Sequence, residues 1–200
     1  MSYQTLQDDI AAFLDNQDVV DKIPTFIRLC ETRLNRVVRT RQMENRVTTA
    51  ISTQFSTLPS DFQEMRNIQI NTTPVTALQY VTPQEADKIM QKNHARKTRF
   101  FSIVANRLEL IPPPTNTLTV EMVYYAQIPA LSGENPSNWM LEQHYDAYLY
   151  GALVQGALYL KDDATTWATL FDSAIDEIEK NDDQSQFHGT TPQVRGLTIG

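Results

Sequence analysis

The sequence predicts an α+β fold, a helical body built from both ends of the chain with an antiparallel, β-rich section inserted between them. Three observations carry this. Apolar residues recur at helical spacing before about residue 40 and after residue 138. Between those points the recurrence shortens to two, and the residues turn to Thr, Val, Ile and Phe, side chains that suit strands. Finally, residues 138–160, NWMLEQHYDAYLYGALVQGALYL, are apolar or small on every side from Ala147 onward except at Gln155, so a helix here has to be buried. The expected division is a first helical part at 1–46, the inserted section at 47–130, a second helical part at 131–182 and an extended arm at 183–200.

Along the chain, Leu6, Ile10, Phe13 and Leu14 fall on one side of a first amphipathic helix that Thr5 is placed to cap. After a polar break at 15–18, a second helix begins near Asp21 with Pro24 in its first turn, where a missing N–H is tolerated. On its wheel Phe26, Ile27, Cys30, Leu34, Val37 and Val38 share an apolar arc, and Arg28, Arg33, Arg36 and Arg39 share the opposite one. Arg41 would fall in the apolar arc, so this helix is expected to end near Thr40. Candidate strands follow at 47–51, 65–70 and 77–81, separated by the LPSD turn and by residues 71–74. TPQE at 82–85 reads as a cap, a first-turn proline and an acidic first turn, opening a short helix to about Asn93. Strands at 100–104 and 107–111 flank the hairpin signal Ala105-Asn106, and the prolines at 112–114 stop the second of them. The last strand, 118–125, sets Leu118, Val120, Met122 and Tyr124 on one face. Ser137 or Asn138 then caps the long central helix. After a polar elbow at 161–164, an antiparallel partner helix turns Trp167, Leu170, Phe171, Ala174, Ile175 and Ile178 toward it and ends near Asn181.

Composition narrows the function classes. The apolar run of the central helix is broken at Gln155 and falls short of the ~20 residues a bilayer needs, which argues against a membrane span. Cys30 is the only cysteine, so no internal disulfide is expected, and its place on an apolar arc points to core packing. The N-terminal MSYQTLQDDIAAF has no positive charge before its apolar residues and does not read as a secretion signal, so the protein is expected to stay in the cytoplasm of the cell that makes it. A formal charge of −7 argues against general nucleic-acid binding, which rests on neutralising phosphates. The charge is uneven, with Arg28, Arg33, Arg36, Arg39, Arg41 and Arg46 crowded together and carboxylates abundant from 142 to 183.

The sequence carries no recognisable catalytic signature. No phosphate-binding glycine loop, nucleophile elbow or paired metal-ligand histidines occur; His94, His144 and His188 fall in separate elements. Asp162-Asp163 and Asp182-Asp183 sit at helix ends, where solvated turn residues are the ordinary reading, and Tyr145, Tyr148, Tyr150 and Tyr159 read as core and contact residues. No catalytic residue, cofactor or metal is expected. The exposed arginine stripe is either a solvated face or a surface for an acidic protein partner.

The order of the motifs goes further. An early helix IPTFIRLCETRLNRVVRTRQME is followed by LPSDF, then by a hairpin ending in LELIPPP, then by a strand closing on two tyrosines. IPALS, a polar loop, NWML and YDAYLYGALVQGALYL with KDD complete the series, from Ile23 to Asp163. In that order and spacing the chain resembles the head-to-tail adaptor, or head completion, proteins of tailed bacteriophages, especially short-tailed ones. Cys30 departs from the alanine-like residue usual at its position.

The resemblance implies a structural virion protein without catalytic residues. Such a protein commonly forms a dodecameric ring docked beneath the portal, extends the DNA channel and offers the tail a platform. Its implied partners are the portal protein, neighbouring copies, tail or nozzle proteins, and DNA that passes without specific binding; no membrane is involved. It would act at the head-tail junction after assembly in the host cytoplasm. By position, ring or portal contacts fall on Arg28, Arg33, Arg36 and Arg39, and on Phe187, Arg195, Leu197 and Ile199 of the C-terminal arm. The rival readings are a cell-wall hydrolase of a phage tail, which needs a carboxylate or histidine in a cleft, and a nucleic-acid-binding module built on the stripe.

Overall fold

The computed structural model describes residues 1–92 and 97–187; His94, His188 and the rest of 93–96 and 188–200 lie outside the described residues. The elements begin with helices α1 Tyr3–Leu14 and α2 Ile23–Val37, joined by a 3-10 turn at Gln17–Lys22. Strands β1 Glu44–Ile51, β2 Phe55–Thr57, β3 Phe62–Ile70, β4 Thr76–Ala77 and β5 Gln79–Tyr80 follow. Helix α3 Pro83–Gln91 precedes β6 Phe100–Val104, β7 Arg107–Ile111 and β8 Leu118–Ala126. Helices α4 Trp139–Gln143, α5 Tyr145–Leu160 and α6 Thr165–Phe187 complete the described chain. The fold is α+β, and the chain divides into two compact units, Met1–Gln42 with Ile128–Gly200, and Met43–Gln127.

In the first unit α5 packs against α1, α2 and α6. Its residues Ala147, Tyr148, Ala152 and Leu153 are fully buried, as an all-round apolar helix demands. Close approach depends on Gly151, where an added Cβ would lie 2.4 Å from Cys30 Sγ and 2.7 Å from Phe171 Cε2. Cys30 itself is buried, in keeping with a core role.

Several expectations for this unit are corrected. The central helix is not continuous: His144, at φ −134° and ψ 56°, separates α4 from α5. The break buries Met140 and Leu141 completely and leaves the polar Glu142 and Gln143 exposed. Burial also lapses at the far end of α5, where Leu158 and Tyr159 are 59% and 54% exposed. Ser2, not Thr5, caps α1, because its side chain reaches the Thr5 N–H. Helix α2 stops at Val37, short of Thr40, which lets Val38 turn fully inward. Arg39 Nη1 then donates to the Asn35 and Val38 carbonyls, groups that the end of a helix leaves over. Phe13 and Leu170, assigned to packed faces, are exposed. Helix α6 passes Asn181 and runs to Phe187, so residues 183–187 are helical, not extended; Asp182, which accepts from the Arg41 N–H and Nε, fastens that last stretch.

The second unit holds two four-stranded sheets, ordered β1-β8-β3-β4 and β2-β7-β6-β5, antiparallel except for the short β5–β6 pair. Their side chains share one core that includes Ile68, Phe101, Leu108, Leu110, Val120 and Met122. The segment read as one strand at 77–81 is two strands on different sheets, with buried Leu78 at the crossing: its N–H donates to Ile68 O, and the Gln79 N–H to Arg99 O. Strand β2 had no sequence signal of its own. The hairpin at Ala105, φ 54°, and the Thr82–Glu85 capping box of α3 are as expected.

Candidate interaction surfaces

A buried polar cluster fastens residues 128–138 onto the helices of the first unit. Glu31 on α2 accepts from the Leu131 N–H at 2.7 Å, and one turn later Asn35 accepts from the Ile128 N–H at 2.8 Å. Asn138 caps α4 by accepting from the Leu141 N–H, and its amide donates to Pro129 O at 2.7 Å and to the Tyr148 hydroxyl at 2.8 Å. The Tyr148 hydroxyl in turn donates to Glu31 Oε1 at 3.4 Å. Burial pushes the Glu31 carboxyl above its ordinary range, against hydrogen bonds from Leu131 and Tyr148 that favour the charged form. The same burial raises the Tyr148 phenol and the Cys30 thiol. Tyr148 has no exposed surface and Asn138 only 7%, so the cluster holds chain in place and leaves no room for a substrate. It nevertheless explains the IPALS and NWML motifs, whose backbone groups it binds. Glu31 does not stand out in the sequence; its one signal is a carboxylate next to Cys30, at the border of the apolar arc of α2.

The arginine stripe is only partly a free surface. Arg28 and Arg36 are exposed, and among the described residues no hydrogen bond or ion pair engages their side chains. Arg33 instead pairs with Asp172 of α6 at 2.8 Å and lies 4.5 Å over the Phe171 ring. Arg39 lies beyond the end of α2, bonded to its last carbonyls. Leu29, which falls between Arg36 and Arg33 on the wheel, is 47% exposed, so the stripe carries an apolar centre that charge patterning did not reveal. Phe187 is the last residue of α6; Arg195, Leu197 and Ile199 lie outside the described residues.

The second unit contains a groove of about 890 Å³ between β4 and the residues leading into β6, with Ile70, Pro74, Gln79, Lys97 and Arg99 on its walls. Its described lining includes neither a carboxylate nor a histidine, the groups a hydrolytic cleft would need. Among the described residues no three His, Cys, Asp or Glu side chains are placed to hold a metal ion, and no helix is long and apolar enough to cross a membrane.

A family model described as SU10 adaptor protein matches residues 1–196. No curated protein matches the chain.

Proposed function

Because the chain belongs to the SU10 adaptor protein family, whose members are phage head-to-tail adaptors, we propose that it forms a ring that docks on the portal and extends the DNA channel. As a family member it is a structural protein of the virion's head-tail junction, working with portal and tail components. The finer reading is a dodecamer assembled in the host cytoplasm, with tail or nozzle proteins seated on its far side. The family match over residues 1–196 is the observation that carries it. The exposed Arg28, Leu29 and Arg36 of α2 support a docking role, since an apolar centre flanked by cations suits an acidic protein surface. A net charge of −7 suits a channel through which DNA slides, since every added phosphate contact would slow it.

The stripe is tested by reversing both free charges, Arg28→Glu with Arg36→Glu. The doubly reversed chain should still fold, with a somewhat lower melting temperature because the Arg28 charge favours the nearby Glu31 carboxylate, yet bind purified portal rings at least about tenfold more weakly than an Arg28→Gln, Arg36→Gln control. Unchanged portal binding would reduce the stripe to a solvated face.

A further inference from the structure

The two sheets end on β1 and β4 and on β2 and β5; β4 pairs with only Gln69 and Ile70 of β3, and the stretch 62–67 that it does not pair with is irregular, its register against β8 shifting twice. Strands β4 and β5 have two residues each and β2 has three, a length that blunts an edge against pairing with other chains. Strand β1 is different. It has eight residues and pairs with β8 in unbroken register, from Glu44 opposite Tyr125 to Ile51 opposite Leu118.

Two observations show which of its backbone groups face outward. The Thr119 carbonyl of β8 accepts from the Asn71 N–H at 2.9 Å, on the β3 side, so Ala50, opposite Thr119, turns its N–H and C=O away from β8. Strand alternation then turns Thr48 and Arg46 outward as well, and the Arg46 N–H is indeed held by the Asn45 side chain at 2.8 Å, not by the ladder. Thr48 and Ala50 are exposed, and among the described residues no backbone group elsewhere bonds to this edge. Neither proline nor lysine interrupts β1.

We propose that the outer edge of β1 receives residues 193–199 of a neighbouring copy as an added strand, the neighbour being supplied by the ring proposed above. In the segment QVRGLTI, Val194, Thr198 and Ile199 are strand-favouring residues, against the central Gly196, which weakens a strand but lets a neighbouring backbone approach closely. Pro192 lies just outside it, so each of its residues has an N–H to donate, and Arg195 is its only charge. At ~3.4 Å per residue its length is about 24 Å, against about 27 Å for β1. Main-chain hydrogen bonds would supply the attraction and alternate side chains the register. Donor segment and receiving edge are different surfaces, so copies exchanging them join head to tail, the arrangement that closes into a ring.

The test titrates the full-length monomer with a fluorescent peptide of residues 188–200 into the millimolar range, following anisotropy and amide exchange. Saturable binding is expected, with exchange at Thr48 and Ala50 slowed about tenfold or more. A peptide carrying both Leu197→Pro and Thr198→Pro should not bind, because one of two adjacent N–H groups must face β1. An Ala50→Pro chain should also fail, while protected Val47 and Thr49 amides, which face β8, show that it remains folded. Absence of binding, or equal binding by the proline peptide, overturns the proposal. So does protection of Thr48 and Ala50 in the monomer alone, because the edge would then already be filled within one chain. The measurement needs neither ring nor portal, so its failure is separable from failure of the ring reading.

Discussion

Glu31 is the side chain on which the local architecture of residues 128–138 turns. Its carboxylate holds the buried Leu131 N–H, and burial raises its pKa. The folded chain therefore binds more protons than the unfolded chain between the ordinary carboxyl pKa and the raised value. Stability from this group is full below that window and is lost as pH rises through it. Glu31→Gln keeps an acceptor for Leu131 without a buried charge, so we predict a flatter stability profile from pH 4 to 8 and no loss at neutral pH. Glu31→Ala strands the N–H and should cost about 1–3 kcal/mol, measurable by urea unfolding. Equal losses for both variants would show that the charge matters and the acceptor does not. Composition could not reveal this role, because a glutamate on a helix is ordinarily solvated. The same limit hid Tyr159 in the other direction: apolar periodicity assigns residues to arcs, and only neighbouring elements decide which parts of an arc are covered.

At the scale of elements, α5 approaches Cys30 of α2 and Phe171 of α6 closely at Gly151. We predict that Gly151→Ala destabilises the chain by about 1–3 kcal/mol through overpacking. Adding Cys30→Ala should recover part of the loss, since it removes the nearer of the two obstructing side chains; Phe171 remains. Thermal melts of the single and double variants test this, and a fully neutral Gly151→Ala would mean that the helices separate readily. Periodicity read the helices and strands well wherever a residue's neighbours in sequence decide its state. The Thr82–Glu85 cap, the β6–β7 hairpin and the buried face of β8 are of that kind. It failed where tertiary demands decide. The break at His144, the crossing at Leu78 and the extension of α6 to Phe187 each serve packing or a distant partner, such as Arg41 on Asp182. Arg33 is a similar case. Its wheel position matches Arg28 and Arg36, but only the fold shows it bound to Asp172 and Phe171.

At the scale of the whole molecule, the family was legible because the order and spacing of many weak motifs are specific together, and the match over residues 1–196 agrees. The proposed docking surface on α2 was legible only as a charge pattern, because its makeup depends on which arginines the fold itself engages. The acidic balance of the chain leads to a second expectation: duplex DNA should not bind measurably at physiological salt. A tight complex whose affinity falls steeply with salt, seen by fluorescence anisotropy, would favour the nucleic-acid reading instead. The most direct test of the adaptor account is the mass of the purified protein by light scattering, alone and after mixing with portal rings of the same phage. We predict a stoichiometric complex in which a second ring is stacked on the portal. A protein whose mass is unchanged by excess portal would contradict that account.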